Sequence, residues 1–431
     1  MNKNNFAIVS LFAGAGGLDE GFKQSGWNID LAIEIDSDAC LTYKSNHQNT
    51  IVWNRDIKTV SGSEIKSIIG EKKIILLGGS PCQSFSIFQD ELLGKKGIKD
   101  ERGQLIFEYL RLVEELNPEI IVFENVKNLI SDEHLPAFNL FLNRLRKSVG
   151  LIMHYRFMQA FEYGVAQIRE RVIVIGTKSN LNPFDYIPKL SGPKTLKEAL
   201  HNCPDSDFFH FKKEYKDVMK YIKEGQCWNV LPPNIAFKVM KKDYRGICLQ
   251  CNFSFKGQIT CPRCGSNHIR NGYGITSYLR RLSYNKPSPT ICAVPSSKIH
   301  GLMAHPAENR ALSIREAARI QSFPDGYKFF GDIFSQQRQI GNAVPPQMAK
   351  AIGIGINNIL NISANSLCKE KETIRWILNH QHANQLSELE KDLVRTTIKK
   401  IRSGNKLPNK YYLYLKEILV KLRNLSIIKI S

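Results

Sequence analysis

Apolar residues fall in short runs over the first 180 positions, and each run ends in a polar or glycine-rich break. Residues 6–13 (FAIVSLFA), Ile29 to Ile35, Ile51–Trp53, 74–77 and Glu119 to Phe123 are too short for helices and rich in Ile, Val and Phe, so each reads as a strand. Residues 155–162 and 171–176 (VIVIGT) complete the series. Between them a helix opens near Leu18, and Gln104 to Leu116 reads as another, stopped by Asn117-Pro118. This alternation predicts an α/β fold with a doubly wound, largely parallel, Rossmann-like sheet.

The pattern changes near Lys178. Pro, Lys, Phe and Tyr become frequent and periodicity is lost as far as about Ser277. From Leu279 an α/β pattern resumes, with helices expected over Ser313 to Gln321 and Gln347 to Leu360. Residues 370–431 read as a helical hairpin broken at Ser403-Gly404-Asn405. The expected organisation is a first domain over 1–177, a smaller second domain over 178–278, a return to the first over 279–368, and a basic helical extension over 369–431.

Charge sharpens this division. The chain of 431 residues has a formal net charge of +20, of which residues 178–278 carry +8 and residues 369–431 another +8. A polyanion is the expected partner of both segments. No stretch approaches the roughly 20 apolar residues of a membrane span. The N-terminal residues lead directly into a strand rather than a signal peptide, so a cytoplasmic protein without a membrane partner is expected. Four of the ten cysteines form Cys248-x-x-Cys251 and Cys261-x-x-Cys264. In a reducing compartment two such pairs, nine residues apart, point to a structural zinc ribbon over 248–264 whose closed four-thiolate shell leaves no catalytic position.

Candidate chemistry gathers where the strands of the first domain end. Gly14-x-Gly16 follows the first strand and Glu34 lies twenty residues on, most of a dinucleotide fingerprint, although Asp19 stands where the third glycine belongs. The run 74–77 opens through Gly78-Gly79 into Ser80-Pro81-Cys82-Gln83, which places a thiol just past the carboxyl end of a strand. Glu124 ends another apolar strand, and in a parallel sheet it would finish on the same edge as Cys82, where a raised pKa suits an acid. Arg169 and Arg171 alternate on the way into a strand, so both are expected to project to one face. Gly341-Asn342-Ala343-Val344-Pro345-Pro346 reads as a turn before a helix, with Asn342 placed to close a pocket.

Together and in this order, Leu11 to Gly17, Gly79 to Gln83, Glu124-Asn125-Val126, Gln167-x-Arg169-x-Arg171, Arg281-Leu282 through Pro289-Thr290, and Gly341 to Pro346 resemble the DNA cytosine-5 methyltransferase family of the bacterial restriction-modification type. The resemblance covers residues 6–177 and 279–356. It implies that Cys82 adds to C6 of a flipped cytosine, that Glu124 donates to ring nitrogen 3, and that Arg169 and Arg171 stabilise the thiolate and hold the base and Glu124. It further implies S-adenosylmethionine as cofactor: Phe12, Gly14, Gly16 and Gly17 cradle it, Glu34 takes its ribose and Asp56 and Ile57 its adenine, while Pro81, Leu105, Asn342 and Val344 complete the pocket. Double-stranded DNA is then the substrate, and residues 178–278 fall where the family keeps its variable target-recognition domain. A cytosine lies inside the duplex stack and must be flipped out at a cost of a few kcal/mol. The basic, glycine-containing stretch Ser84 to Arg102 has the composition of a lid that closes on DNA. A monomer is expected, and a restriction endonuclease of the same system with no direct contact implied. RNA cytosine as substrate, and a DNA-binding protein with an inactive transferase core, are the readings left beside this one.

Overall fold

Strand β1 (Phe6–Leu11), helix α1 (Gly17–Gln24), β2 (Leu31–Glu34), α2 (Ser37–Asn46), β3 (Ile51–Asn54), α3 (Gly62–Ile69) and β4 (Lys73–Gly78) open the chain as successive parallel β/α units. Helix α4 (Leu105–Leu116), β5 (Ile120–Val126), α5 (Leu135–Val149), β6 (Ile152–Gln159) and β7 (Glu170–Thr177) follow. The computed structural model describes residues 3–79, 105–179, 181–272, 279–293 and 303–379, with positions 387, 390–392, 396 and 418. Two compact units result, residues 2–356 and residues 357–431.

The seven strands form one sheet in the order β3-β2-β1-β4-β5-β7-β6, parallel through β5, with β7 antiparallel to both of its neighbours. Consecutive residues such as Ile8 and Val9, or Ile75 and Leu76, are wholly buried, so both faces of the sheet are covered. This is why its strands read as unbroken apolar runs. On one face Val9, Leu11, Ile33, Leu76, Ile121 and Phe123 pack with Ile65 of α3, Tyr109 and Leu112 of α4, and Phe138, Phe141 and Leu145 of α5. Between β1 and β4 the strand order reverses direction, which opens a crevice at their carboxyl ends. The strand expected over 155–162 lies three residues earlier, because Ala160–Tyr163 form a 3-10 turn.

Residues 178–278 are less featureless than their composition suggests. They hold short helices α6 (Leu196–Leu200), α7 (Lys213–Met219) and α8 (Pro233–Met240), then a three-stranded antiparallel sheet of β8 (Arg245–Cys248), β9 (Ser254–Lys256) and β10 (Ile269–Asn271). They share a separate core in which Trp228, Tyr244, Met219 and Ile222 are buried with Cys248 and Cys261. Backbone bonds from Leu196 N–H to the Lys286 carbonyl (3.1 Å) and from Lys197 N–H to the Tyr284 carbonyl (2.9 Å) close a neck around residues 198–283. Just inside the neck, β11 (Arg280–Arg281) pairs with β12 (Met303–Ala304), which lies outside it. Buried Arg281 donates to the carbonyls of Met219, Ile222, His305 and Glu308 at 2.6–3.0 Å, tying the segment to the loop that follows.

Three helices complete the description. The expected helix at Ser313 is α9 (Ile314–Ile320), started by a capping box between Ser313 and Glu316. Helix α10 (Ile333–Asn342) was not expected, and α11 (Pro346–Asn379) runs well past Leu360. The predicted break at Ser403-Gly404-Asn405 and the Ser84 to Arg102 lid lie outside the described residues. No helix among the described residues is long and apolar enough to cross a membrane.

Candidate active site

A cleft of about 760 Å³ occupies the crevice at the carboxyl ends of β1 and β4. Its floor is the loop after β1, where Phe12, Gly14 and Gly16 all take positive φ (54°, 55° and 84°). Phe12 holds this conformation without being glycine, a strain that clusters at ligand sites. A Cβ on Gly17 would lie 2.4 Å from the Val344 carbonyl oxygen, so a bare Cα lets the 341–344 segment close against the loop. Gly16 packs instead against Tyr43, His47 and Tyr327 beneath the loop and does not line the cleft. The Tyr327 hydroxyl donates to the Ala15 carbonyl and lies 3.1 Å from His47 Nε2, so residues over three hundred positions apart fix the glycine loop from below.

Glu34 stands at the end of β2 on the wall of the cleft. Its Oε2 accepts from Gly14 N–H (2.8 Å) and its Oε1 from Ile35 and Asp36 N–H (2.9 Å each). Burial raises its pKa, and those N–H groups oppose the rise. Asp56, also on the wall, caps the turn at Ile57 by accepting from Lys58 N–H at 3.0 Å, while Ile57 is buried against the main core. Leu105, Asn342 and Val344 line the same cleft. Pro81 and Cys82 lie outside the described residues, which break off after Gly79. A Cβ on Gly79 would come within 2.5 Å of the Glu124 carbonyl oxygen, so the chain leaving β4 passes directly beside the end of β5.

There Glu124 receives Arg171, with Nε 3.0 Å from Oε1 and both side chains largely buried. Burial raises the Glu124 pKa, against the opposing charges of Arg171 and Arg169, so the carboxyl keeps a proton to higher pH than an exposed glutamate. Arg169 and Arg171, expected to project to one face, make different hydrogen bonds. Both line the cleft, but Arg169 precedes the strand, is wholly buried, and donates to the carbonyls of Ile291 (3.1 Å) and Gly341 (2.9 Å). Burial lowers its pKa to about 9. Arg169 fixes the walls, and Arg171 alone pairs with Glu124. Glu170 pairs with Lys127 at 3.0 Å.

Of the turn expected over Gly341 to Pro346, Gly341 and Asn342 form the last turn of α10, and the remainder leads into α11, which begins at Pro346. Asp19, read as a misplaced fingerprint residue, is a wholly buried carboxyl on α1 that accepts from Ser10 Oγ at 2.9 Å. Residues unnoticed in the sequence complete the rim. Arg338 on α10 reaches Asp36 at 2.8 Å, and Ile35 lines the cleft at 64% exposure. In the 178–278 segment the sulfurs of Cys248, Cys251, Cys261 and Cys264 all lie within 4.8 Å of one another.

The glycine cradle and strand-end carboxylate fit a nucleoside-type cofactor, and the acid-arginine pair beside them fits proton donation to a second substrate. The chain is 34% identical over 367 residues to the Type II methyltransferase M.PspPI of Psychrobacter sp. (strain TA137), covering 83% of this chain and 80% of that protein. It is 33% identical over 363 residues to the Type II methyltransferase M.Sau96I of Staphylococcus aureus, covering 83% and 77%. A triple variant of Spodoptera frugiperda DNMT2 shares the fold, with a TM-score of 0.54 at 17% identity over 81% of this chain and 99% of that one. With the description "C-5 cytosine-specific DNA methylase" matching residues 6–358, the chain belongs to that family.

Proposed function

We propose that this enzyme methylates C5 of a cytosine within a short specific sequence of double-stranded DNA, by covalent addition of Cys82 to C6 of a flipped base, and so protects host DNA in a restriction-modification system. Membership of the family makes the chain a DNA (cytosine-5-)-methyltransferase that uses S-adenosylmethionine. The observation that carries the finer reading is that the Glu124–Arg171 pair opens into the same cleft as the glycine loop and Glu34.

S-adenosylmethionine, when bound, supplies the electrophilic methyl group. Phe12, Gly14 and Gly17 offer backbone and ring surface to it, Glu34 a carboxylate for its ribose hydroxyls, and Asp56 and Ile57 the adenine end of the cleft, with Leu105, Asn342 and Val344 closing the sides. Pro81 belongs to the same reading, and Gly16 serves it from beneath by packing. The Cys82 thiolate attacks C6. Glu124, whose pKa burial raises, donates to ring nitrogen 3, which takes up the electron density displaced through C5 and C4 and leaves an enamine with its nucleophilic carbon at C5. Arg171 orients that carboxyl, and Arg169 holds the backbone of Ile291 and Gly341 around it. After methyl transfer a solvent water takes the C5 proton, the C5–H electron pair re-forms the C5–C6 double bond and expels the Cys82 thiolate, and the proton on ring nitrogen 3 returns to Glu124.

In this reading residues 1–177 are the catalytic and cofactor-binding domain, 178–278 read the DNA with a structural zinc at the four cysteines, 279–368 return the chain to the catalytic domain, and the basic extension 369–431 adds contact to DNA phosphates in a monomer. The test incubates purified protein with labelled S-adenosylmethionine and unmethylated genomic DNA, wild type beside Cys82→Ser, followed by bisulfite sequencing. Methyl incorporation at one short motif, lost in the variant, is expected. Incorporation unaffected by the substitution would refute the covalent mechanism.

A further inference from the structure

The four cysteines sit in two copies of one small device. In the first knuckle Asn252 takes a positive φ (55°) and its N–H donates to the Cys248 carbonyl at 3.0 Å, while Cys248 N–H donates to the Phe253 carbonyl at 3.0 Å. In the second, Gly265 takes φ 71°, its N–H donates to the Cys261 carbonyl at 2.9 Å, and Cys261 N–H donates to the Ser266 carbonyl at 2.8 Å. The sulfurs are treated alike too. Backbone N–H groups of Gln250 and Cys251 bond to Cys248, and those of Arg263 and Cys264 to Cys261. Phe253 N–H bonds to Cys251 and Ser266 N–H to Cys264. Six backbone donors thus converge on four sulfurs.

Four zinc–sulfur bonds of about 2.3 Å in a tetrahedron set sulfurs about 3.8 Å apart. Here Cys248 and Cys264 are 3.6 Å apart, Cys251 and Cys261 are 3.5 Å apart, and all four lie within 4.8 Å. All four are free cysteines.

Around them the local secondary structure is short. The sheet consists of strands of four, three and three residues, and the buried apolar side chains of residues 245–271 are Cys248, Phe255, Cys261 and Ile269. Two of these four are candidate ligands, and all four join the larger core that holds Trp228, Tyr244, Met219 and Ile222. A metal at the sulfurs would staple the outer end of this layer, where the strands are shortest. The outer surface has a definite character: Arg245, Lys256, Arg263 and Arg270 are exposed, Leu249 is 62% exposed, and residues 244–272 contain no acidic residue. Asn271 Nδ2 anchors this surface to the layer beneath by donating to the carbonyls of Asn229 (2.9 Å) and Leu231 (2.6 Å). Its core includes none of the residues packed under the cofactor cleft.

We propose that Cys248, Cys251, Cys261 and Cys264 bind one zinc ion whose role is to fold the DNA-binding face of the recognition segment, so that DNA binding depends on the metal and cofactor binding does not. This rests on the reading of residues 178–278 as the part that contacts DNA. Metal analysis of the purified full chain, wild type and Cys264→Ser, is followed by equilibrium dialysis with labelled S-adenosylmethionine and filter binding to sheared unmethylated DNA. Wild type is expected to carry one zinc per chain. The variant, and wild type stripped with a chelator, are expected to lose DNA affinity at least tenfold while cofactor affinity stays within twofold, and zinc added back to the stripped protein restores DNA binding. Absence of metal, iron in place of zinc, unchanged DNA affinity after metal loss, or parallel loss of cofactor binding would each overturn the proposal. A zinc-loaded protein that binds DNA in this metal-dependent way yet transfers no methyl to cytosine would refute the proposed activity and leave the zinc inference standing.

Discussion

Replacing Asp19 with asparagine should make the protein more stable at alkaline than at mildly acid pH, relative to wild type. The Asp19 carboxyl is fully buried under the glycine loop, and burial raises its pKa from 3.8 to about 7 despite the hydrogen bond from Ser10. A carboxyl with a raised folded-state pKa binds its proton more tightly folded than unfolded. Its effect is therefore absent below pH 3.8, stability falls as pH rises from there to about 7, and the full penalty persists above. At about 1.36 kcal/mol per pH unit the whole penalty is about 4 kcal/mol, of which about 2 kcal/mol falls between pH 5.5 and 7. Asparagine has nearly the same shape and no proton to lose. Urea unfolding of wild type and Asp19→Asn at pH 5.5 and 8.5 gives two differences in stability, in which every other titrating group cancels. The variant should gain about 2 kcal/mol on wild type between the two conditions. A difference that stays constant would show that Asp19 is ionised, or solvated, in the folded protein, and would refute the reasoning.

Glu124→Gln keeps the shape of the acid but not its proton, and kcat should fall about 10²- to 10⁴-fold with cofactor affinity unchanged, read by steady-state kinetics and equilibrium dialysis. Tyr327→Phe removes the hydroxyl that holds the Ala15 carbonyl, a loss of about 1 kcal/mol that should weaken cofactor binding about fivefold and leave DNA binding intact. Gly17→Ala sets a methyl 2.4 Å from the Val344 carbonyl and should destabilise by about 1–3 kcal/mol while weakening cofactor binding, seen as a lower Tm and a raised dissociation constant.

The parallel strands were readable because residues buried on both faces leave an uninterrupted apolar signature, as at Ile74–Leu77. Strand-end carboxylates Glu34 and Glu124 were readable for the same reason, since a charged residue closing such a run stands out. Helix α10 was not. Its buried side includes Gln337 and Gln339, whose amides donate to the carbonyls of Cys292 and Phe330 at 2.8 Å, so a polar inner face masked its period. The separate fates of Arg169 and Arg171 were equally hidden, because the acceptors of Arg169 lie 122 and 172 positions away along the chain. Tyr327 escaped notice likewise, being an unremarked tyrosine until the fold sets it under Ala15.

The neck at Leu196–Lys197 and Tyr284–Lys286 has a consequence for insertions. Besides the neck, residues 198–283 meet the body where Ile314 N–H donates to the Asp207 carbonyl (2.9 Å) and Arg315 N–H to Ser206 Oγ (2.8 Å), so the excursion can change length between these anchors while they keep its register with α9. Loop-closure entropy grows so slowly that doubling such an excursion costs only about 0.6 kcal/mol. Insertions that fall between these anchors therefore add chain at small entropic cost and leave the strand ends that line the cleft where they are.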